Sequence, residues 1–156
     1  MASQSKLDAV YLKMADSLST LSKAERRKVG CLIVKGTQII SEGYNGTPKG
    51  FPNACEYCDD VGEWYTKREV LHAEANAITK LAKSTNSSEG ATMYVTCSPC
   101  FDCAKLIVQA GISRLVYRDL YTKRECLDAL AMLAEAGVVI VQNKNGGNSL
   151  DSTQGA

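Results

Sequence analysis

Apolar residues recur at three- and four-residue steps from Leu7 through Val10, Tyr11, Met14 and Leu18 to Leu21. That spacing is one face of an amphipathic helix ending near Ser22. Two β-branched runs follow, Val29 to Val34 and Gln38 to Tyr44, joined by Lys35-Gly36-Thr37, and together they read as a hairpin. Residues 45–66 hold Gly46, Pro48, Gly50, Pro52 and Gly62 and read as a long loop. Ala73 to Lys83 predicts a helix and Ala91 to Thr96 a strand. Ser98-Pro99 then has the form of a helix start, serine as N-cap and proline in the first helical position, with Gly111 as the stop. Leu115 to Tyr117 predicts a strand, Arg124 to Ala136 a helix closed by Gly137, and Val138 to Val141 the last strand. The stretch 143–156 is rich in glycine, asparagine and serine and predicts a frayed tail behind a domain spanning 1–142.

The order is α-β-β-loop-α-β-α-β-α-β. Alternation in the second half implies right-handed crossovers and parallel strands covered on both faces. The hairpin adds an antiparallel pair. The expected fold is α/β: a three-layer α/β/α sandwich around a five-stranded mixed sheet.

Composition narrows the function classes. A chain of 156 residues suits one core, and 45% hydrophobic with 22% charged residues is ordinary for a soluble globular domain. The net charge of +1 argues against a broad nucleic-acid surface. No apolar run approaches the ~20 residues that cross a bilayer, so no membrane partner is expected. Seven cysteines cannot all pair internally, and Met1 to Lys6 shows no apolar leader. These features predict a cytoplasmic protein whose cysteines are metal ligands or buried small hydrophobes. Cys31, Cys97 and Cys126 read as packing residues.

The chemistry gathers around the only histidine. His72-Ala73-Glu74 precedes Pro99-Cys100-Phe101-Asp102-Cys103. His72, Cys100 and Cys103 supply three ligands for Zn²⁺ and leave a fourth tetrahedral position open, as in catalytic sites. Cys100 and Cys103 share one helix face in a first turn, where unpaired N–H groups favour thiolates. Two thiolates and a neutral imidazole balance the metal charge. Zinc in such sites lowers the pKa of a bound water towards about 7. Glu74 can then carry protons between that water and a substrate. Ala73 is small enough for a flat base to lie close to the backbone. His-x-Glu followed by Pro-Cys-x-x-Cys is an established pattern of zinc-dependent nucleobase deaminases.

More of the chain carries a resemblance. The stretch from Ser87 to Lys105, the helix start His72-Ala73-Glu74-Ala75-Asn76-Ala77-Ile78, the loop Gly43-Tyr44-Asn45-Gly46-Thr47-Pro48, and Ser22-Lys23 with Arg26 and Val29-Gly30 are similar to deoxycytidylate (dCMP) deaminases, bacteriophage ones especially. It runs from about Leu7 to Gln142. The zinc motifs mark the wider zinc-dependent cytidine deaminase superfamily, and the Gly-Tyr-Asn-Gly loop narrows it.

The resemblance implies the cytidine-deaminase-like sandwich and hydrolysis of dCMP to dUMP and ammonia, feeding thymidylate synthesis. It implies a hexamer activated by dCTP with Mg²⁺ and inhibited by dTTP. Carried over by position, Asn45 hydrogen-bonds the sugar, although a residue between glycines also suits a left-handed turn. Lys23 and Arg26 meet the 5′-phosphate, or are solvated members of the charge run from Lys23 to Lys28. Tyr121 flanks the base, or simply packs. Ser98 joins the substrate residues, and Gly43, Tyr44 and Gly46 help form the allosteric pocket. Cys55 and Cys58 lie where some phage relatives hold a second zinc, but no spare histidine accompanies them. Cytidine, guanine or tRNA-adenosine deamination, or a non-catalytic zinc module, remain as rivals. Glu74 argues against the last, because a structural site has no use for a carboxylate there.

Overall fold

The protein is described from a computed structural model, which covers residues 1–146. Its central sheet contains β1 (Gly30–Lys35), β2 (Gln38–Tyr44), β5 (Thr92–Cys97), β6 (Arg114–Asp119) and β7 (Val139–Gln142) in the order β2-β1-β5-β6-β7. β5, β6 and β7 run parallel, whereas β1 is antiparallel to both of its neighbours. The helices are α1 (Gln4–Ser19), α2 (Ala73–Lys80, continued by a 3-10 turn at Leu81–Lys83), α3 (Phe101–Gln109) and α4 (Arg124–Glu135). This is the expected three-layer sandwich with a five-stranded mixed sheet. Among the described residues no helix is long and apolar enough to cross a membrane.

Strand alternation builds the layers. Successive side chains point to opposite faces of a sheet. Cys31, Ile33, Met93, Val95 and Leu115 therefore enter one core with Ala77, Ala104, Ile107 and Leu133 of α2, α3 and α4. Leu32, Val34, Tyr94 and Val116 enter a second core with Leu12 and Ala15 of α1. Strands buried on both faces read as continuous apolar runs, which is why these were visible in the sequence. The hairpin turn falls where expected, with Gly36 at φ 63°.

The loop 45–66 contains more order than its glycines and prolines suggest. β3 (Glu56–Cys58) and β4 (Trp64–Thr66) form a separate two-stranded sheet. Tyr57 and Tyr65 stack at 5.6 Å across it, and Asp59 Oδ1 accepts the Val61 and Glu63 N–H groups in the turn at 3.0 and 2.8 Å. The excursion is drawn together at its base, where Gly46 and Leu71 exchange backbone hydrogen bonds of 3.0 and 2.8 Å.

Two boundaries differ from expectation. α3 begins at Phe101 with Cys100 as N-cap, not at Pro99 behind Ser98. The Ser98 hydroxyl accepts the Tyr121 N–H at 2.8 Å instead, and the chain stays extended through Cys100 (φ −75°, ψ 171°). The expected fraying also does not start at Asn143. That residue is 8% exposed, its side chain donates to the Ser5 carbonyl at 3.2 Å, and Gly146 packs on Leu12. The rest of the expected tail, 147–156, lies outside the described residues.

One buried ion pair fastens α1 to the sheet. Asp8 is 2% exposed and receives Arg114 Nη1 at 2.8 Å, Arg114 Nη2 at 2.6 Å, Tyr94 Oη at 2.8 Å and Gln4 Nε2 at 2.9 Å. Burial pushes its carboxyl up, but the hydrogen bonds from Arg114, Gln4 and Tyr94 reverse this and hold it below the ordinary carboxylate range. Asp8→Ala leaves Arg114 unpaired, with an expected cost of about 3–5 kcal/mol in urea unfolding at pH 7. Because the folded pKa is depressed, this stabilisation exists above the unfolded value near 4 and is lost as pH falls through the folded value. The gap between wild type and variant should therefore narrow below about pH 4. A gap under about 1 kcal/mol at pH 7 would remove the pair from the account of stability.

Candidate active site

Two helix N-termini meet beyond the carboxyl ends of the parallel strands, the usual place for a site in an open α/β sheet. One belongs to α2, whose N-cap is His72. An N-cap side chain ordinarily accepts a bond from its own helix, but the His72 imidazole makes none. Its Nδ1 instead lies 3.4 Å from Cys100 Sγ and 3.4 Å from Cys103 Sγ. The other N-terminus belongs to α3, where Cys100 caps the helix and its sulfur accepts the Cys103 N–H at 3.5 Å.

The three donor atoms lie within 4.8 Å of one another, and this is the only such metal-ligand group found among the described residues. Zn–S bonds of about 2.3 Å and Zn–N bonds of about 2.0 Å at tetrahedral angles separate sulfur from nitrogen by about 3.5 Å. The two Nδ1···Sγ distances of 3.4 Å therefore suit a zinc ion between them. Nδ1 as the metal-facing atom leaves the proton on Nε2 of the neutral ring.

The electrostatics already favour a thiolate. Hydrogen bonding with Cys103, and then with His72, lowers the Cys100 thiol to about 4. Its bond to Cys100 raises the His72 imidazole to about 9. The Cys103 thiol is pushed well up by the hydrogen bond it gives Cys100 and by burial. Hydrogen bonding within the cluster thus favours the thiolate form of Cys100, the form that binds a cation.

Glu74 lies in the first turn of α2 and is 4% exposed. Burial raises its carboxyl above the ordinary range, opposed by its own backbone N–H and by the His72 charge. A carboxyl poised towards neutrality beside an open metal position suits proton transfer in both directions. Ala73 is fully buried with Cys31 and Ile33. A Cβ on Gly43 would collide with the Ala73 carbonyl, so this glycine lets β2 and α2 approach closely. Tyr44 adds a second tie, its carbonyl accepting Asn76 Nδ2 at 2.7 Å.

Asn45 does not adopt the left-handed turn, since no non-glycine residue among those described has positive φ. Its side chain grips the loop between α1 and β1. Oδ1 accepts the Val29 N–H at 2.9 Å, Nδ2 donates to the Arg27 carbonyl at 2.8 Å, and the Asn45 carbonyl accepts Ser22 Oγ at 2.8 Å. One amide hydrogen remains for a ligand. Glu56 of β3 holds the same loop, Oε1 accepting the Glu25 and Arg26 N–H groups at 3.0 and 3.3 Å.

Lys23 and Arg26 are exposed on that loop. Arg27 is exposed too, but it is the member of the run that contacts Cys97 and Tyr121, which sequence reasoning missed. Its Nη1 lies 2.8 Å from Cys97 Sγ and its guanidinium carbon 4.4 Å from the Tyr121 ring centroid. A run of three consecutive basic residues, Arg26 to Lys28, gives no sign of which one turns inward. Cys31, Cys97 and Cys126 are buried, as expected. Cys58 is exposed, and the Cys55 thiol is buried and turned to the Asn53 carbonyl at 3.6 Å.

An open metal position with a proton carrier beside it separates a hydrolytic centre from a structural zinc knot, and the site here is of the hydrolytic class, a zinc-dependent hydrolase. Residues 5–119 match the cytidine and deoxycytidylate deaminase zinc-binding region. The chain is 39% identical to the deoxycytidylate deaminase of Enterobacteria phage T4, over 75% of this chain and 80% of that one. It is 34% identical to the Saccharomyces cerevisiae deoxycytidylate deaminase, over 86% of this chain and 44% of that longer one. A crystal structure of dCMP deaminase from the cyanophage S-TIM5, in complex with dCMP and dUMP, superposes with a TM-score of 0.80 at 39% identity, covering 90% of this chain and 99% of that one. The chain belongs to the cytidine and deoxycytidylate deaminase family.

Proposed function

We propose that the protein hydrolyses dCMP to dUMP and ammonia, with His72, Cys100 and Cys103 holding a catalytic zinc ion and Glu74 moving the protons. The observation that carries this reading is the convergence of His72 Nδ1 on both thiols at 3.4 Å beside a buried Glu74. Relatives named for dCMP supply the substrate.

Zinc in such a site acts as a Lewis acid that makes a coordinated water acidic near neutral pH. Glu74 accepts a proton from the attacking water and delivers it to N3 of the cytosine ring as C4 is attacked. The second water proton follows through the same carboxyl to the departing amino group. Ammonia leaves and the ring becomes uracil. The free amide hydrogen of Asn45 points the assignment to the sugar hydroxyl, and Ser98 and Ala73 shape the floor of the pocket. Tyr121 borders the base. Supply of dUMP for thymidylate synthesis, regulation by dCTP and dTTP with Mg²⁺ through Gly43, Tyr44 and Gly46, hexamer assembly and a cytoplasmic location belong to the same proposal and rest on the family resemblance.

The direct test measures ammonia release from dCMP, deoxycytidine and dCTP in parallel. dCMP should exceed deoxycytidine by at least about 10-fold in kcat/KM, the contribution expected of charge-assisted bonds to a phosphate. Equal or better turnover of deoxycytidine would reject the nucleotide reading.

A further inference from the structure

The apolar stripe of α1 is wider than the core behind it uses. Leu12 and Ala15 are fully buried on the sheet, with Tyr11 and Leu18 packed against them. Val10, Met14 and Leu21 continue the same three- and four-residue rhythm but stay exposed. With Lys13 and Ser17 they line an open groove on the outer side of the helix. The charge on that side has one sign. Of the four charged residues of α1, Asp8 and Asp16 pair with Arg114 and Arg118, whereas Lys6 and Lys13 are exposed and hold no ion pair among the described residues. An apolar groove edged by lysines suits an apolar partner that carries acids.

The β3–β4 hairpin offers that combination. Glu56 is the only buried residue of its two strands. A two-stranded ribbon alone is marginal in water and gains from cover on a face. Tyr57, Val61, Trp64 and Tyr65 are exposed, Trp64 at 60%. Between Tyr57 and Thr66 the charged residues are Asp59, Asp60 and Glu63, with no lysine or arginine among them. Asp59 braces the turn, whereas Asp60 and Glu63 are exposed and hold no ion pair among the described residues. Groove and hairpin are both exposed in one chain, so neither covers the other there. Two complementary but different patches on one chain join copies head to tail, and such contacts close into a ring when the rotation allows.

We propose that the β3–β4 hairpin of one copy docks on the α1 groove of a second copy, with Trp64 against Val10, Met14 and Leu21, and with Asp60 and Glu63 facing Lys6 and Lys13. Trp64 is the anchor, a large rigid side chain of the type that dominates binding energy once water is excluded. The acids set the direction, because like charge disfavours hairpin against hairpin and groove against groove. The inference deepens the assembly reading above by naming the two surfaces, and rests on it for the association of copies. It is independent of the dCMP chemistry.

The experiment uses the zinc-loaded full chain and compares wild type with Lys13→Glu, Glu63→Lys and Trp64→Ala by sedimentation velocity. Trp64 is the only tryptophan, so its emission reports on the hairpin alone. Wild type should sediment as a species larger than one chain, with emission at shorter wavelength and less quenched by acrylamide than in Lys13→Glu. Each charge reversal should weaken association at least about 10-fold, and Trp64→Ala about 10- to 100-fold. An equimolar mixture of Lys13→Glu with Glu63→Lys should recover the wild-type mass, because every groove then finds a hairpin of opposite charge on the other variant. A mixture that stays dissociated, a reversal that sediments as wild type, or Trp64 emission equal in wild type and Lys13→Glu would overturn the docking, while an assembled wild type would keep the assembly reading. A wild type that stays monomeric at every concentration would overturn both.

Discussion

Glu74→Gln should lower kcat on dCMP by about 10⁴-fold while leaving one zinc per chain and an unchanged unfolding midpoint. Glutamine keeps the size and polarity of the side chain but cannot take a proton from water. In the proposed mechanism, proton removal from water, delivery to N3 and delivery to the amino group all pass through this one carboxyl, so no other group shares the loss. Glu74 is 4% exposed, which leaves bulk water little access to substitute for it. Zinc content by atomic absorption and turnover by ammonia release, read on one preparation, separate the two effects. A variant retaining more than about a tenth of wild-type kcat would rule out Glu74 as the proton carrier.

His72→Ala should abolish turnover for a different reason, by losing the metal. Its ring supplies one of three protein ligands, and two thiolates alone do not complete a catalytic zinc site. The affinity loss should exceed the about 10- to 100-fold that follows removal of a residue merely supporting a ligand. The fold should survive, because the imidazole makes no capping bond to α2 and His72 is exposed. Far-UV circular dichroism should match wild type, and added zinc should no longer raise the unfolding midpoint. Zinc retained at wild-type stoichiometry after dialysis against a chelator would show that the ligand set is wrong.

The two kinds of residue in these experiments were not equally visible in the chain. His72, Cys100 and Cys103 could be read because their roles follow from short-range spacing at two helix starts. Strands β1, β5 and β6 could be read because burial on both faces leaves continuous apolar runs such as Cys31–Val34, whereas β3 and β4 have no such run. Asp8 could not. It looks like a polar residue on an amphipathic helix, and its partner Arg114 lies 106 residues away. Glu56 is similarly hidden, since its partners are backbone N–H groups 30 and 31 residues earlier, and backbone partners leave no mark in composition. Ser98 was misplaced because Ser-Pro is a good helix start, yet the Tyr121 N–H competes for the same hydroxyl. Local rules name the ligands, whereas choices among distant partners decide which cation of a basic run turns onto Tyr121.

The paired backbone bonds between Gly46 and Leu71 lie immediately before His72 in the chain. They make the intervening excursion a closed appendage whose internal length does not set where the histidine stands. Residues can be gained or lost within 47–70 without re-registering the metal ligands, as long as the two ends still meet. What such changes do disturb is the Glu56 grip on the Arg27 loop. Changes in this segment can thus shift the loop before β1 while His72 keeps its place at the start of α2.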